Sequence, residues 1–299
     1  MIDTHPLVTI AIPTYNRADA YLEQALKSAV GQTYTNLEII VADNCSIDHT
    51  ETVVKKFSDQ RIRYVRHKKN IGANNNFNYC VKQANGIYFL LLHDDDLIDD
   101  DFVAVCMRAV NYEKNVGLIR TGTRKIDAEG KVILERKNLA AGLSIADFFL
   151  SWFLDKTPMY LCSTLFNTEK LKFVDGFKSK NNLFQDVLAE VVLAAKFGRI
   201  DIQDIKASFR NHPSQNTHAA QINAWCEDSL LLLNKICLLA PEKKEIIKDA
   251  GLKFFAKRNY RLAKNIESPY QRYLAYLTIF RQFDFQFDFF KKKIARKFL

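Results

Sequence analysis

Ile87-Tyr-Phe-Leu-Leu-Leu-His-Asp-Asp-Asp-Leu-Ile-Asp-Asp-Asp-Phe102 is the stretch of sequence that decides the fold. Its first part, Ile87 to Leu92, is apolar throughout, which is typical of a strand buried on both faces of a parallel sheet. Asp94, Asp95 and Asp96 follow at the carboxyl end of that strand, where open α/β sheets bind their ligands. Carboxylate oxygens suit Mg²⁺ or Mn²⁺. The stretch therefore predicts a cation site, and the alternative is a solvated loop that caps the next helix.

Strands and helices alternate on either side of this stretch. Apolar, β-branched runs that end in turn residues predict strands, and segments with helical spacing lie between them. The strands expected in the first part of the chain are 7–12, 37–42, 62–65, 87–92 and 116–119. Such alternation is typical of βαβ units, so we expect an α/β fold with a mostly parallel sheet flanked by helices.

The second half of the chain has a less regular pattern. Periodicity predicts a helix at 145–154, a strand at 158–166, an amphipathic helix at 183–197 and a strand at 200–209. From residue 221 onward the sequence predicts helices alone.

The net charge of +9 arises at the end of the chain. Residues 251–299 carry 12 Lys and Arg against 3 Asp and Glu, whereas residues 1–250 carry 31 of each sign. An aromatic stripe at helical spacing precedes a basic cluster there, and this favours either an interfacial helix on an anionic membrane surface or a stripe packed on protein. The stripe is Tyr273, Tyr276, Phe280, Phe283, Phe287 and Phe290, and the cluster is Lys291, Lys292, Lys293, Arg296 and Lys297.

Composition and missing motifs argue against several classes of protein. No apolar run reaches the roughly 20 residues of a transmembrane helix, and the N-terminus lacks the pattern of a secretory signal. The six scattered cysteines predict reduced thiols and a cytoplasmic location. G-x-G-x-x-G and G-x-x-x-x-G-K-[ST] are both absent from the first loops, so a metal ion is expected to neutralise any phosphate.

Three stretches of the sequence resemble family 2 glycosyltransferases of the GT-A fold. They are Val8-Thr-Ile-Ala-Ile-Pro-Thr-Tyr-Asn-Arg17, Glu38-Ile-Ile-Val-Ala-Asp-Asn-Cys-Ser-Ile-Asp-His-Thr50 and Leu92-His-Asp-Asp-Asp-Leu97. The resemblance covers about residues 7–218. It implies a GT-A catalytic domain over 1–218, with a nucleotide-binding half (1–119) and an acceptor half (120–218). A helical C-terminal extension (219–299) would follow.

The resemblance also implies a nucleotide pocket. Pro13, Tyr15 and Arg17 would line it, and Asp43 would accept a hydrogen bond from the uracil N3–H. The pair Asn75 and Asn76 resembles the region that touches the base or ribose, although the family often has Arg there. Asp43 and the two asparagines have helix capping as their alternative role.

The acidic triplet resembles the D-x-D motif of the family, whose last carboxylate binds the cation. Its register is open, because His93-x-Asp95 fits one common form and Asp94-x-Asp96 the other. We favour Asp96 and Asp95 as ligands of Mn²⁺ or Mg²⁺, and we expect Asp94 and Asp95 to contact the nucleotide sugar.

Family 2 enzymes invert the anomeric carbon in one displacement, so they need a general base. The Gly176-Phe177 turn followed by Gln185-Asp186 resembles the family segment that carries it. Asp186 is therefore the candidate base and Glu190 the next candidate, whereas stabilisation of the helix dipole is the alternative role of Asp186.

Two further segments resemble parts of the family's catalytic domain. In Arg210-Asn-His212, the arginine is expected to pair with phosphate, and His212 to contact the diphosphate or the metal. For both Arg210 and His212, the alternative is a purely structural role. Cys162-Ser-Thr164 lies where the family contacts its acceptor.

The expected function is that of an inverting, metal-dependent glycosyltransferase of surface polysaccharide biosynthesis. A UDP-sugar is the expected donor, with a dTDP-sugar as the alternative, and a glycan or polyprenyl-diphosphate-linked molecule is the acceptor, at the cytoplasmic face of the membrane. A sugar-nucleotide pyrophosphorylase is disfavoured because its Gly-rich first loop is missing. A nucleic-acid-binding protein would leave the acidic triplet unexplained, so no nucleic acid is expected as partner. The oligomeric state stays open.

Overall fold

A computed structural model describes residues 5–112, 115–212 and 221–283. The chain forms two compact units, each made of separate segments. Unit 1 consists of Met1–Gly142, Lys156–Lys178 and Asp186–Pro213, and unit 2 of Leu143–Asp155, Ser179–Gln185 and Ser214–Leu299. This division differs from the single boundary expected after residue 218, because two earlier segments join the C-terminal helices.

A nine-stranded sheet forms the centre of unit 1. Its strands are β1 (Val8–Thr14), β2 (Leu37–Asp43), β3 (Ile62–Arg66), β4 (Tyr88–Leu91), β5 (Leu97–Ile98), β6 (Leu118–Ile126), β7 (Val132–Arg136), β8 (Thr164–Asn167) and β9 (Arg199–Arg210). Their order is β3-β2-β1-β4-β8-β6-β9-β5, with β7 paired to β6. Strands β1 to β4 are all parallel, as the βαβ pattern predicts, whereas β8 is antiparallel to both of its neighbours.

Ten α-helices lie among the described residues. They are α1 (Leu22–Val30), α2 (Thr50–Lys55), α3 (Ala73–Gln83), α4 (Phe102–Ala109), α5 (Ile145–Phe153), α6 (Thr168–Phe173), α7 (Gln185–Phe197), α8 (Ile222–Leu239), α9 (Lys244–Ala263) and α10 (Pro269–Gln282). Helices α1 to α4, α6 and nearly all of α7 belong to unit 1, and α5, α8, α9 and α10 to unit 2. The α/β fold class with C-terminal helices is thus confirmed.

The register of the parallel strands is fixed by buried apolar side chains. Ile10 of β1 is paired with Ile39 of β2 on one side and with Leu90 of β4 on the other, and all three are fully buried. Burial of each such side chain contributes about 1.5–3 kcal/mol, and a one-residue slip would turn these side chains to the opposite face. This register brings the carboxyl ends of the three strands to one edge.

Aromatic packing explains why α5 belongs with the C-terminal helices. The ring of Trp152 lies 4.9 Å from that of Phe254 in α9, and Phe153 lies 5.3 Å from the same ring. Offset and edge-to-face ring pairs at such distances add to the hydrophobic stabilisation. Gly251 lets α8 pack closely on α9, since a Cβ there would lie 2.3 Å from Leu233 Cδ1 and the leucine side chain would have to move.

The strand predicted at 158–166 was right only at its end. Residues Leu161–Ser163 form a 3₁₀ turn, and β8 begins at Thr164. The hydroxyls of Ser163 and Thr164 both donate to the Tyr160 carbonyl at 3.1 Å. Such local hydrogen bonds compete with strand pairing.

The predicted aromatic stripe lies only partly within the described residues. Tyr273 is 59% exposed, whereas Phe283 at the end of α10 is fully buried. Phe287, Phe290 and the basic cluster lie outside the described residues. Within the described ranges, none of the helices combines the length and the apolar character that a membrane span requires.

Candidate active site

The ends of β1, β2 and β4 bring the predicted nucleotide-pocket residues to one edge of the sheet. Thr14, the last residue of β1, is in register with Asp43, the last residue of β2. Leu92 N–H donates to the Ala11 carbonyl at 2.9 Å, so the acidic triplet begins beside the end of β1. Tyr15, which is 44% exposed, follows β1 at this edge.

Hydrogen bonds join the loop after β1 to the loop after β2. Asn16 has a φ of 53°, a left-handed conformation that Asn adopts more readily than most residues. Its N–H donates to Ser46 Oγ at 2.9 Å, and its Oδ1 accepts from Ile47 N–H at 2.9 Å. Ala18 N–H donates to Asp48 Oδ2 at 3.0 Å. The loop containing Tyr15 and Arg17 is thereby held against the end of β2.

Asp43 is 1% exposed and engages both carboxylate oxygens. Oδ1 accepts from Ser46 N–H at 2.8 Å, and Oδ2 accepts from the Tyr64 hydroxyl at 2.6 Å. Burial and the bond to Asp43 raise the pKa of Tyr64 above its usual value, so the hydroxyl stays a donor. Arg66 Nε lies 3.7 Å from Oδ2. Each oxygen can accept two hydrogen bonds, so Asp43 retains acceptor capacity.

Asn75 and Asn76 occupy different environments in the first turns of α3. Asn76 is 2% exposed, and its Nδ2 donates to the Ala42 carbonyl at 2.8 Å while Oδ1 lies 2.9 Å from His67 Nε2. Its amide therefore supports the end of β2. Asn75 is exposed and donates to the Ile71 carbonyl. Neither side chain caps α3, whose N-cap is Gly72.

Asp94 interacts with the end of β1 and the loop that follows it. Burial and then the charge of Asp95 raise the pKa of Asp94 to about 7. The Thr14 hydroxyl, the Arg17 charge and the Tyr15 N–H act in the opposite direction. Asp94 therefore lies among the residues expected to line the nucleotide pocket.

Asp95 and Asp96 differ in exposure and in partners. The Asp95 side chain is 15% exposed, and His212 Nε2–H donates to its Oδ2 at 2.9 Å. Asp96 is 1% exposed, and its Oδ1 accepts from Arg210 N–H at 2.9 Å. Burial and the neighbouring Asp95 raise the pKa of Asp96 well above its usual value. The Cys162 thiol donates to the Asp96 carboxyl, which partly offsets this effect.

A candidate cation site lies at this turn. One potential ligand atom from each of His93, Asp95 and Asp96 lies within 4.8 Å of the other two. His93 Nδ1 is 3.8 Å from Asp96 Oδ2, which is too long for a hydrogen bond. His93 Nε2 is buried, with no hydrogen-bond partner among the described residues. Carboxylate oxygens with an imidazole nitrogen form a donor set that a divalent transition-metal ion accepts.

Arg210 is fully buried at the end of β9. Its Nε donates to the Asp95 carbonyl at 2.9 Å, Nη1 to the Ala128 carbonyl at 3.0 Å and Nη2 to Gln24 Oε1 at 2.7 Å. The guanidinium also lies 4.3 Å from the centre of the Tyr21 ring. These contacts hold the acidic turn from behind and use donors that phosphate pairing would need.

Asp186 opens α7, one turn before a buried network of charges. Glu190 is 3% exposed, and its Oε1 lies 2.5 Å from Arg120 Nε. Arg120 Nη1 also donates to Asp201 Oδ1 at 3.0 Å. Burial raises the pKa of Glu190 to about 7, against the lowering effect of Arg120, and the Asp186 charge raises it further.

Sequence patterns missed Tyr64, Arg120 and the Asp96 contact of Cys162. Each is joined to its partner by long-range pairing, which motif spacing does not encode. The position of Tyr64 in the strand next to β2 was the only available signal. The fully buried Cys162 thiol bonds to Asp96 of the acidic turn, and an acceptor contact at 162–164 stays a prediction.

The family model for Glycosyl transferase family 2 matches residues 9–164. Chondroitin synthase from Escherichia coli is 32% identical over 130 residues, which are 43% of this chain and 19% of the synthase. Hyaluronan synthase from Pasteurella multocida is 32% identical over 139 residues, 46% of this chain and 14% of that protein. The matched part is thus about a fifth or less of these relatives.

Two solved structures are similar in fold. Staphylococcus aureus TarS 1–349 in complex with UDP-GlcNAc superposes with a TM-score of 0.67 at 16% identity, covering 92% of this chain and 80% of the TarS 1–349 chain. Mannosyltransferase PcManGT from Pyrobaculum calidifontis, in complex with GDP-Man and Mn²⁺, gives a TM-score of 0.59 at 20% identity, covering 95% of this chain and 86% of that chain. The fold is therefore GT-A. Because the family model matches more than half of its residues, the chain belongs to glycosyl transferase family 2.

Proposed function

We propose that this glycosyltransferase is an inverting, metal-dependent enzyme that transfers a sugar from a UDP-sugar to a glycan or polyprenyl-diphosphate-linked acceptor. The main support for the proposal is that Asp43 and the acidic triplet both lie at the carboxyl edge of β1, β2 and β4. A base-binding acceptor and a cation site at one sheet edge suit a nucleoside diphosphate. Synthesis of a surface polysaccharide follows the activity named for the synthases that the chain resembles.

The nucleotide specificity is argued from Asp43. An imide N–H, as in uracil or thymine, needs an acceptor, and Asp43 is an acceptor held between Ser46 and Tyr64. UDP is preferred because TarS was solved with UDP-GlcNAc and UDP, whereas a dTDP-sugar presents the same imide. Tyr15 and Arg17 would contact the nucleotide from the loop after β1.

Asp95 and Asp96 are the residues that would hold the cation. The greater exposure of Asp95 makes it the better placed of the two, whereas Asp96 is turned toward Arg210 N–H. When bound, Mn²⁺ or Mg²⁺ would neutralise the charge of the departing diphosphate. His212 orients Asp95 through its hydrogen bond, and Arg210 fixes the backbone of the same turn.

Asp186 is proposed as the general base. The acceptor hydroxyl oxygen forms a bond to the anomeric carbon on the face opposite the diphosphate. The bond between that carbon and the phosphate oxygen breaks, and UDP leaves with the electron pair. The hydroxyl proton passes to the Asp186 carboxylate. Glu190 is less suited to this role because it is buried against Arg120.

Binding of UDP in the presence and absence of a divalent cation tests the proposal. Isothermal titration should give UDP binding with Mn²⁺ that is lost in EDTA, and Asp95→Asn or Asp96→Asn should weaken it by about tenfold or more. Asp175→Asn, at an exposed turn, is the matched control. Unchanged UDP affinity in EDTA would contradict metal dependence, and tighter binding of an oligonucleotide than of UDP would contradict the donor site.

The donor sugar can be identified by incubation with a panel of sugar nucleotides. Release of free UDP from one member, and not from the dTDP or GDP forms, would establish the donor. We place the reaction at the cytoplasmic face of the membrane, where a lipid-linked acceptor would be available to a peripheral enzyme.

A further inference from the structure

Strand β3 contacts the proposed base-binding residue Asp43 from the side. In the register of the parallel pair, Arg66 lies opposite Asp43, at the end of β2. Tyr64 is two residues before Arg66, so the side chains of all three residues lie on the same face of the sheet. The Tyr64 hydroxyl donates to Asp43 Oδ2 at 2.6 Å. Burial and this hydrogen bond raise the pKa of Tyr64, so the hydroxyl keeps its proton and stays a donor.

The Asp43 carboxylate is held by a donor on each of its oxygens. Ser46 N–H donates to Oδ1 at 2.8 Å, and the Tyr64 hydroxyl occupies Oδ2. Arg66 Nη2 donates to the Ser46 carbonyl at 2.7 Å, which fixes the loop that supplies the N–H. Asp43 is buried, so its carboxylate cannot rotate without leaving a buried polar group short of a partner. The acceptor positions that remain therefore have a fixed direction.

A fixed carboxylate distinguishes the pyrimidine bases by what they present at N3. Uracil and thymine carry an N3–H, which can donate to a carboxylate, whereas cytosine carries a lone pair there and an amino group beside it. A carboxylate held in place opposes that lone pair, but one that is free to turn can accept from the amino group instead. Sites built to bond a substrate N–H reject analogues without it, because a buried polar group is then left unpaired. Selection between these bases thus depends on how firmly Asp43 is held.

We propose that Tyr64 is a positioning residue that makes the nucleotide site select uracil and thymine over cytosine, by fixing the Asp43 carboxylate. The inference rests on the proposed function for the contact between Asp43 and the base. It goes further by naming the residue on which base selection depends.

Titration of the full chain with UDP and with CDP, both in the presence of Mn²⁺, tests the inference. Tyr64→Phe removes the hydroxyl and keeps the ring. It should weaken UDP binding by about tenfold and leave CDP binding unchanged or stronger, so the ratio of the two affinities falls. Tyr79→Phe is the matched control and should keep the ratio, because Tyr79 is also a half-buried tyrosine and its ring contacts His67.

The pattern of losses separates positioning from a general structural role. If Tyr64→Phe weakened UDP and CDP by the same factor, Tyr64 would only support the local structure, and the proposal would be wrong. It would also be wrong if UDP affinity were unchanged, or if the wild-type protein bound CDP as tightly as UDP. Absence of any UDP binding by the wild-type protein would instead contradict the proposed function itself.

A double-mutant cycle asks whether Tyr64 acts through Asp43. In an Asp43→Ala background, Tyr64→Phe should change the UDP affinity by less than about twofold, because no carboxylate is left to position. A tenfold loss of about the same size in that background would mean that Tyr64 contacts the nucleotide directly, and it would overturn the positioning role.

Discussion

Arg210 is a fully buried side chain whose contacts fix the geometry of the acidic turn. Its guanidinium donates to three backbone carbonyls and to the Gln24 side chain, and it lies over the Tyr21 ring. The planar fork of arginine makes these contacts simultaneously, which a lysine cannot do. A positioning role therefore has more support in the contacts than the predicted pairing with phosphate.

Arg210→Lys separates these two roles. If Arg210 positions the acidic turn, the substitution should lower the free energy of unfolding by about 2–4 kcal/mol, because several buried acceptors lose their donors. Urea denaturation of both proteins measures the loss, and Lys27→Arg, at an exposed ion pair of α1, is the matched control. Unchanged stability together with weaker UDP binding would favour phosphate pairing.

Asp186→Asn tests the general base. The turnover number should fall by about 10²- to 10⁴-fold, because the amide cannot take the acceptor proton, while the affinity for the UDP-sugar stays nearly unchanged. Steady-state kinetics and titration measure the two quantities, and Asp175→Asn is again the control. A variant that retains more than about a tenth of the turnover would place the base elsewhere.

At the scale of elements, sequence patterns were most informative for β1 to β4. Strands β1, β2 and β4 are largely apolar and buried, and parallel pairing places the ends of all four strands together whatever the details of the loops. Strand β5 was missed because its two residues form a strand only through pairing with β9. The 3₁₀ turn at 161–163 was missed because side-chain hydrogen bonds to Tyr160 override an apolar pattern.

The candidate site was likewise predictable from the sequence only in part. Motifs placed Asp43 and the acidic triplet at the correct strand ends. The partners of these residues come from distant positions: Arg210 reaches Asp95 over 115 residues, and Tyr64 reaches Asp43 over 21. Burial and hydrogen bonding decide what Asn76 and Arg210 contact, and neither can be calculated from local sequence.

The link between α7 and β6 gives a prediction of pH dependence. Burial raises the pKa of Glu190 from 4.5 to about 7, so the folded state favours the protonated carboxyl. Its contribution to the free energy of unfolding is therefore complete below pH 4.5 and is lost as pH rises through about 7. The loss is up to about 3 kcal/mol.

Glu190→Gln removes this titration while keeping the side-chain volume. The free energy of unfolding of the variant minus that of the wild type should be larger at pH 8 than at pH 5. Urea denaturation of both proteins at both pH values measures this difference. Glu169→Gln, at an exposed position of α6, is the control, and its effect on stability should be independent of pH in this range. A wild type that gains stability over the variant at pH 8 would mean that the Arg120 ion pair outweighs desolvation.

At the scale of the whole molecule, charge is unevenly distributed along the chain. Residues 1–250 are balanced, and residues 251–299 supply the entire +9. Within α10, part of the aromatic stripe is used for packing, since Tyr276 lies 5.6 Å from the Tyr260 ring and Phe283 is buried. Packing therefore accounts for Tyr276 and Phe283 but not for the exposed Tyr273, and the membrane hypothesis depends mainly on the residues that follow α10.

The basic cluster at Lys291–Lys293, Arg296 and Lys297 should bind anionic lipid. Each cation near an anionic leaflet contributes about 1 kcal/mol, so five together are sufficient for peripheral attachment. The attachment should weaken at high salt, because exposed charges are screened within about 8 Å at physiological ionic strength. Co-sedimentation with anionic and with neutral liposomes measures it, comparing the full chain with a chain ending at Asp288. We expect only the full chain to sediment, and only with anionic liposomes. Equal sedimentation of both chains, or of neither, would mean that the cluster serves packing or assembly and that another surface meets the acceptor.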